Sequence, residues 1–287
     1  MTDPVESWGA DRLDDLVELV GVALPGEAVS ADDLDSLRIA PGTEVLGVGS
    51  GHGAVVLSCA PSGSAHVQLL VVHPARRRRG LARQLVDAAQ RWAAERGASR
   101  LVVGAGAPVY LFTGIDSTWT EALCCFEALG YERVGVELDL VCPTRPPHRP
   151  VVPPGVSVER VTSDEEVAAL VAWSQRTWPG WTAELERAAQ AGTVVVARSE
   201  GAVVGAAAHS VGRLGVIGPV AVDPLRQGGG VGAAMMAAVL ADLSTAGLDR
   251  AEIAWVSNVR FYARACGARV GRASVVMARD LAPRPEG

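Results

Sequence analysis

Val222-Asp223-Pro224-Leu225-Arg226-Gln227-Gly228-Gly229-Gly230-Val231-Gly232 follows an apolar run and opens a helix-like one. The same phrase occurs earlier as Val72-His73-Pro74-Ala75-Arg76-Arg77-Arg78-Arg79-Gly80-Leu81-Ala82. Pro74 and Pro224 stand 150 positions apart, and so do Gly80 and Gly230. The start of a helix presents backbone N–H groups that lack intrahelical partners, at the positive end of the helix dipole. Glycines before it remove the side chains that would keep a phosphate away. Neither copy is a P-loop or a GxGxxG dinucleotide motif. A plain strand-to-helix turn is the alternative, and duplication in the same context weighs against it. The chain reads as two copies of one fold, each with a loop suited to an anionic group.

Around each loop the order of elements repeats. Leu13, Leu16, Val17 and Val20 have helical spacing, so a helix is expected over residues 11–23, with a second over 31–39. Strands follow at 43–48, 53–59 and 66–72, separated by Gly and Pro-Ser-Gly turns. A long amphipathic helix covers 80–96, a buried strand 101–103, a further helix 118–129, and closing strands 131–142. No clear first strand precedes the first helix. The order restarts with a strand at 156–161. Ser163 and Glu166 have the spacing of a capping box for the next helix, which reaches about Thr177. Then come a helix at 183–191, strands at 193–199, 202–210 and 214–222, a helix at 230–246, a strand at 250–256, a helix at 258–266 and closing strands at 268–278. The stretch from Gly80 to Gly130 is longer than that from Gly230 to Gly267, which predicts an insertion near 105–118. Residues 143–154 contain six prolines and read as a stiff linker. The expected domains are therefore 1–142 and 155–287.

The chain has 287 residues, room for two ordinary domains, and at 49% hydrophobic and 20% charged it is globular in composition. Its net charge of −6 argues against nucleic acid as a general partner. Every basic side chain is arginine. The acidic start lacks a signal pattern, and no apolar run is long enough to span a bilayer. Five cysteines without metal spacing point to no metal and to a reduced, cytoplasmic protein.

The pattern Val-x-Pro-x-x-Arg/Gln-x-x-Gly-x-Gly/Ala resembles the acetyl-coenzyme A loop of the GCN5-related N-acetyltransferases (GNAT), and the element order resembles two tandem members of that superfamily. The resemblance implies an α/β fold of two GNAT-like domains, each a mixed, splayed sheet flanked by helices, with acetyl-coenzyme A as cofactor. It implies that Val220, Ala221 and Val222 offer backbone to the pantetheine arm in the second domain, with Asn258 a weaker contact, and that Leu70, Val71 and Val72 do so in the first. Gln227, Gly228, Gly229, Gly230, Val231 and Gly232 would hold the diphosphate, as would Arg77, Arg78, Arg79, Gly80, Leu81 and Ala82.

Amine acetylation needs a neutral amine, a thioester held near it and a proton for the departing thiolate. Family members often use a tyrosine in a pattern like Phe-Tyr-x-x-x-x-Gly as the acid. Phe261-Tyr262-Ala263-Arg264-Ala265-Cys266-Gly267 places Tyr262 there. Cys125-Phe126-Glu127-Ala128-Leu129-Gly130 places Phe126 there, and a phenyl ring cannot donate a proton. The second domain is thus the expected catalyst and the first the degenerate copy. Glu252 and His209 are candidate bases, beside water alone. Trp178 and Trp181, with Trp173 nearby, are candidates for an apolar acceptor wall, with core packing as the alternative. Asp164, Glu165, Glu166, Glu184 and Glu186 read as a solvated face. The expected acceptor is the amine of a small molecule, for a monomer or homodimer. The alternatives are a non-catalytic acyl-coenzyme A sensor or scaffold, or transfer to a protein or peptide.

Overall fold

The computed structural model describes residues 3–59, 63–104, 106–146 and 150–281. The chain folds as two compact units. The elements that lead through the first unit are β1 (Val5–Ser7), α1 (Leu13–Ala23), α2 (Ala31–Arg38), β2 (Thr43–Val48), β3 (Gly53–Cys59), β4 (Ser64–Val72), α3 (Leu81–Glu95), β5 (Arg100–Val103), β6 (Ile115–Asp116), α4 (Thr120–Ala128) and β7 (Glu132–Pro143). Then follow β8 (Val156–Arg160), α5 (Asp164–Thr177), α6 (Thr182–Gln190), β9 (Val194–Ser199), β10 (Ala202–His209), β11 (Val216–Val222), α7 (Val231–Thr245), β12 (Arg250–Ile253), α8 (Val259–Cys266) and β13 (Arg269–Asp280).

In the first unit β1, β2, β3 and β4 run antiparallel, and β5 joins β4 in parallel. The antiparallel partner on the far side of β5 is β13, with Met277 opposite Val103. The second unit repeats this with β8, β9, β10 and β11, then parallel β12, then antiparallel β7, with Leu140 opposite Ile253. The compact units are therefore residues 1–137 with 274–287, and residues 138–273, rather than two consecutive stretches. A sheet edge accepts any strand that satisfies its N–H and C=O groups, and the sequence pattern of a strand does not name its partner.

Alternating side chains give each sheet two apolar faces. In the first unit Leu16, Leu34, Val56 and Leu69 pack under α1 and α2, while Leu57, Leu85, Trp92 and Phe126 pack under α3 and α4. In the second, Leu170, Trp173, Leu185 and Val196 lie on the α5 and α6 face, and Ile217, Met235, Val239 and Ile253 on the α7 and α8 face. Ser163 and Glu166 form the expected capping box, and Ser30 with Asp33 forms another.

Two expectations need correction. The first unit does have an opening strand: β1 pairs with β2, Val5 opposite Val48. Three residues were too short a run to show alternation. The proline-rich stretch also begins inside the second unit's sheet, since Pro143 pairs with Arg250 and the Thr144 N–H donates to the Asp249 carbonyl at 3.0 Å. Thr144 and Asp249 form the hydrogen-bonded pair here, so Pro143 stands opposite Arg250 in a non-hydrogen-bonded pair, where its missing N–H costs no ladder bond to β12. Residues 147–149 of that stretch, and residue 105 of the insertion, lie outside the described residues.

Candidate acyl-transfer site

Each unit opens where its parallel pair parts. β4 and β5 pair only as far as Val67 opposite Val103, while β4 continues to Val72. The register against β3 slips at Gln68 on the same stretch. β11 and β12 pair only at Val216 and Ile217, while β11 continues to Val222, and its register against β10 slips across Gly218 and Pro219. An irregularity of this kind turns the backbone away from its neighbour. Leu70, Val71 and Val72 in one unit, and Val220, Ala221 and Val222 in the other, thus lie on strand edges beyond the parallel pairing.

The two loops have one conformation. After each strand a single 3-10 turn is held by a side chain: His73 Nδ1 accepts from the Ala75 N–H at 3.2 Å, and Asp223 Oδ1 accepts from the Leu225 N–H at 2.9 Å. Arg77 Nε donates to the Val72 carbonyl at 3.3 Å, and Gln227 Nε2 to the Val222 carbonyl at 3.4 Å. The chain then turns through two left-handed residues, Arg78 and Gly80 (φ 61° and 84°) or Gly228 and Gly230 (φ 81° and 87°). Gly80 and Gly230 are the N-caps of α3 and α7, and neither helix start has a side-chain cap. That leaves main-chain N–H groups at the start of each helix for an anion. Gly232 has a further reason to be glycine. A Cβ there would stand 3.0 Å from the Phe261 ring, so its bare Cα lets α8 approach α7.

In the first unit the opening is a cavity of about 930 Å³. Its walls include Leu70, Val71, Val72, Arg77, Arg78, Gly80, Leu81 and Ala82, so most of the expected contacts share one space, and Cys124 and Cys125 of α4 face the same space. Arg79 is exposed and is not among the wall residues. The insertion supplies Phe112, Gly114 and Ile115. A Cβ on Gly104 would lie 2.5 Å from the Gly114 Cα, so the insertion can fold against the end of β5 only over a glycine. Gln68, only 2% exposed, ties it down by donating Nε2 to the carbonyls of Gly106 (2.8 Å) and Val109 (3.1 Å), while its buried Oε1 has no partner among the described residues.

The second unit places an indole beside the corresponding strand end. Trp178 Nε1 donates to the Val222 carbonyl at 3.2 Å, and Trp181 stacks on Trp178 with ring centroids 4.9 Å apart. Trp173 is buried in the core with Leu170 and Leu185. Tyr262 lies on the α7 side of the sheet, edge-on to Phe261 at 4.7 Å. Burial pushes its hydroxyl up to about 12, with the neighbouring Cys266 adding to the rise. Asn258 caps α8, its Oδ1 accepting from the Phe261 N–H at 3.1 Å, so that oxygen is already engaged.

The candidate bases sit in local networks. Glu252 accepts from Arg213 Nη2 at 2.6 Å, and the arginine side chain is buried. His209 contacts Ser210 Oγ through Nδ1 at 3.0 Å and stands 3.9 Å from Asp242, which also pairs with Arg160. Burial pulls the His209 pKa down, Asp242 opposes it, and the ring is neutral near pH 7. Glu184, expected on a solvated face, is instead buried, and burial alone lifts its carboxyl to about 7. Its position on the inner face of a nine-residue helix decides this, and a run of acidic residues hides it.

The helix comparison also changes. Tyr262 stands five residues before Gly267, and the residue five before Gly130 is Cys125, with Phe126 one position later. Phe126 is core, edge-on to Tyr131 at 5.1 Å. Cys125 is the half-buried counterpart that faces the cavity, and burial raises its thiol pKa against the pull of Arg83 and Arg78. Counting back from the helix-ending glycine identifies it from sequence.

A mixed sheet that parts beside an uncapped, glycine-entered helix, built twice, is the architecture of an acyltransferase. The chain belongs to the acetyltransferase (GNAT) family, whose model matches residues 14–108 and 158–268, and members of this family use acetyl-coenzyme A. Among solved structures it is similar to a tandem GNAT protein from the clavulanic acid biosynthesis pathway (TM-score 0.75, 20% identity, 98% of this chain and 99% of that one). It is also similar to a GCN5-related N-acetyltransferase from Sphaerobacter thermophilus (TM-score 0.72, 19% identity, 99% and 97%). A third is the GCN5-related glucosamine N-acetyltransferase region of a fungal multi-domain GH3 beta-N-acetylglucosaminidase (TM-score 0.79, 19% identity), where the match covers 96% of this chain and 38% of that one. These likenesses show the fold. No curated protein gives a match. No helix among the described residues is long and apolar enough to cross a membrane, and no cluster of three metal-ligating side chains occurs among them.

Proposed function

We propose that the protein moves an acetyl group from acetyl-coenzyme A to the primary amine of a small molecule by direct attack, with the chemistry in the second unit. The observation that carries this reading is Tyr262. It puts a phenol that stays protonated to about pH 12 on the last helix, where the first unit has a thiol. The cofactor supplies an activated thioester when bound. Main-chain N–H groups of Gln227, Gly228, Gly229, Gly230 and Val231 would hold its diphosphate, and the edge of Val220, Ala221 and Val222 its pantetheine arm. Trp178 already occupies the Val222 carbonyl, which leaves Val220 and Ala221 for that arm. Tyr262 gives its proton to the departing thiolate. Tyr262→Phe should lower turnover roughly 10²-fold, as for a lost general acid, in a free-thiol assay.

A second reading places the transfer in the first unit, favoured by its cavity of about 930 Å³ and the arginines on its wall. Arg77→Ala with Arg78→Ala separates the two. If this variant abolishes turnover while Tyr262→Phe keeps wild-type rates, the second reading replaces the first. If acetyl-coenzyme A raises the melting point but no amine releases thiol, the protein is an acyl-coenzyme A sensor. The amine panel includes amino acids, polyamines, peptides and amino sugars, the last because one similar structure is a glucosamine N-acetyltransferase region.

A further inference from the structure

The cavity of the first unit has two chemically different parts. Arg76, Arg78 and Arg83 are exposed on its wall around the uncapped start of α3, and Arg77 stands beside them. The carboxylates on the same wall are Glu27 and Glu121, so cations outnumber them and this part favours an anion. The other part is hydrocarbon. Val103, Phe112, Ile115, Phe126 and Leu129 are buried within the fold and still border the cavity. Trp119 joins them, edge-on to Phe112 at 5.4 Å. One space thus offers charge where its wall is exposed and hydrocarbon where its wall is deep.

Phe112 and Ile115 come from the insertion, which the second unit lacks. The insertion is fixed in place: Ile115 pairs with Val275 of β13, and Gln68 Nε2 holds the Gly106 and Val109 carbonyls. The volume of about 930 Å³ is near the upper end for small-molecule sites, about 300–1,000 Å³. Hydrocarbon gains by leaving water for such a wall, and a cavity of apolar side chains takes up apolar guests. An acetyl group has a single methyl to offer it. A ligand that answers both parts of the wall has an anionic head and an alkyl tail.

We propose that the first unit is a site for a coenzyme A thioester whose acyl chain is longer than acetyl. The loop entering at Gly80 takes the diphosphate, and Phe112, Ile115, Phe126 and Leu129 surround the chain. The insertion is then the element that selects chain length, and the two units take different thioesters. Such a site stands whichever unit performs the transfer, and it requires that the Gly80 loop holds a diphosphate.

Cys124 and Cys125 border this cavity, whereas Cys142 and Cys266 of the second unit are buried. Alkylation of Cys124 and Cys125 by N-ethylmaleimide in the full chain, followed by peptide mass spectrometry, therefore reports on the first unit. Octanoyl-coenzyme A should protect these thiols at a concentration roughly tenfold or more below that needed for acetyl-coenzyme A, since each buried methylene is worth about fourfold in affinity. Octanoate, which has the chain without the diphosphate, should not protect at that concentration. Arg78→Ala with Arg83→Ala should weaken protection by both thioesters alike. Ile115→Trp fills the apolar part and should remove the difference between them. Should that variant fail to fold, Phe112→Ala replaces it and should weaken protection by the octanoyl thioester alone. Equal protection of wild type by the two thioesters, or protection by octanoate at the same concentration, overturns the proposal. Thioesters that bind in isothermal titration without protecting the thiols overturn it too, and place binding in the second unit. If neither thioester binds at all, the loop reading falls with it.

Discussion

The two units share a sheet, a loop and a helix order, yet the first opens into a large cavity and the second sets a tryptophan against the equivalent strand end. Five residues before the glycine that follows its last helix, the first carries a thiol, Cys125, and the second a phenol, Tyr262. The first has Gln68 at the point where its strands part, and the second has Gly218 and Pro219 across the matching slip. What the two copies share at the loop is backbone, an uncapped helix start entered through a left-handed glycine. The side chains that would decide chemistry diverged. A loop built from main-chain N–H groups tolerates Arg78 where its twin has Gly228, because both adopt the same left-handed turn.

This contrast can be broken from either side. The largest effect is expected at the helix pair. Tyr262→Phe should cost roughly 10²-fold in turnover, and Cys125→Ser should leave the rate within about twofold, because a side chain outside the machinery has little to lose. Equal losses would dissolve the asymmetry.

The next effect is on stability and belongs to the second unit. Glu184 has a folded-state pKa near 7 against an unfolded value of 4.5. Between these values the folded protein binds more protons than the unfolded one, so stability falls as pH rises through the window, by about 3 kcal/mol in all. Urea titrations from pH 4 to 8 should show that decline, and Glu184→Gln should flatten it. A smaller loss, about 1–3 kcal/mol, is expected for Gly232→Ala, because the new methyl meets Phe261 at 3.0 Å in a packed core. The matching residue of the first unit is already alanine, Ala82, so this test also measures how differently the last helices sit against the two loop helices. The smallest effect is Arg78→Gly. Relief of a left-handed arginine should add about 1 kcal/mol to stability, while the lost cation lowers the melting shift given by acetyl-coenzyme A if the first unit binds it.

Much of the framework was legible. The helices at 13–23 and 81–95 follow apolar spacing, the glycines mark the loop turns, and the capping box at Ser163 appears where it is expected. Asn258 also caps a helix and Gly232 also packs against Phe261, structural roles that use the same residue types as the cofactor contacts expected of them. The burial of Glu184 was not legible, since four other acidic residues nearby are polar for ordinary reasons. The partner of Tyr262 was legible by count and is Cys125, although the aromatic ring of Phe126 draws the eye.

The residues alone determined that one motif was built twice, that each copy starts a helix on bare backbone, and that a phenol stands on one last helix only. These are local properties, set by spacing and by the conformations glycine and proline permit. The tertiary structure alone decided which strand completes each sheet, which cleft stands open and which acidic residues are buried. Hydrogen-bond ladders and burial join residues far apart in the chain, and no local pattern records their partners.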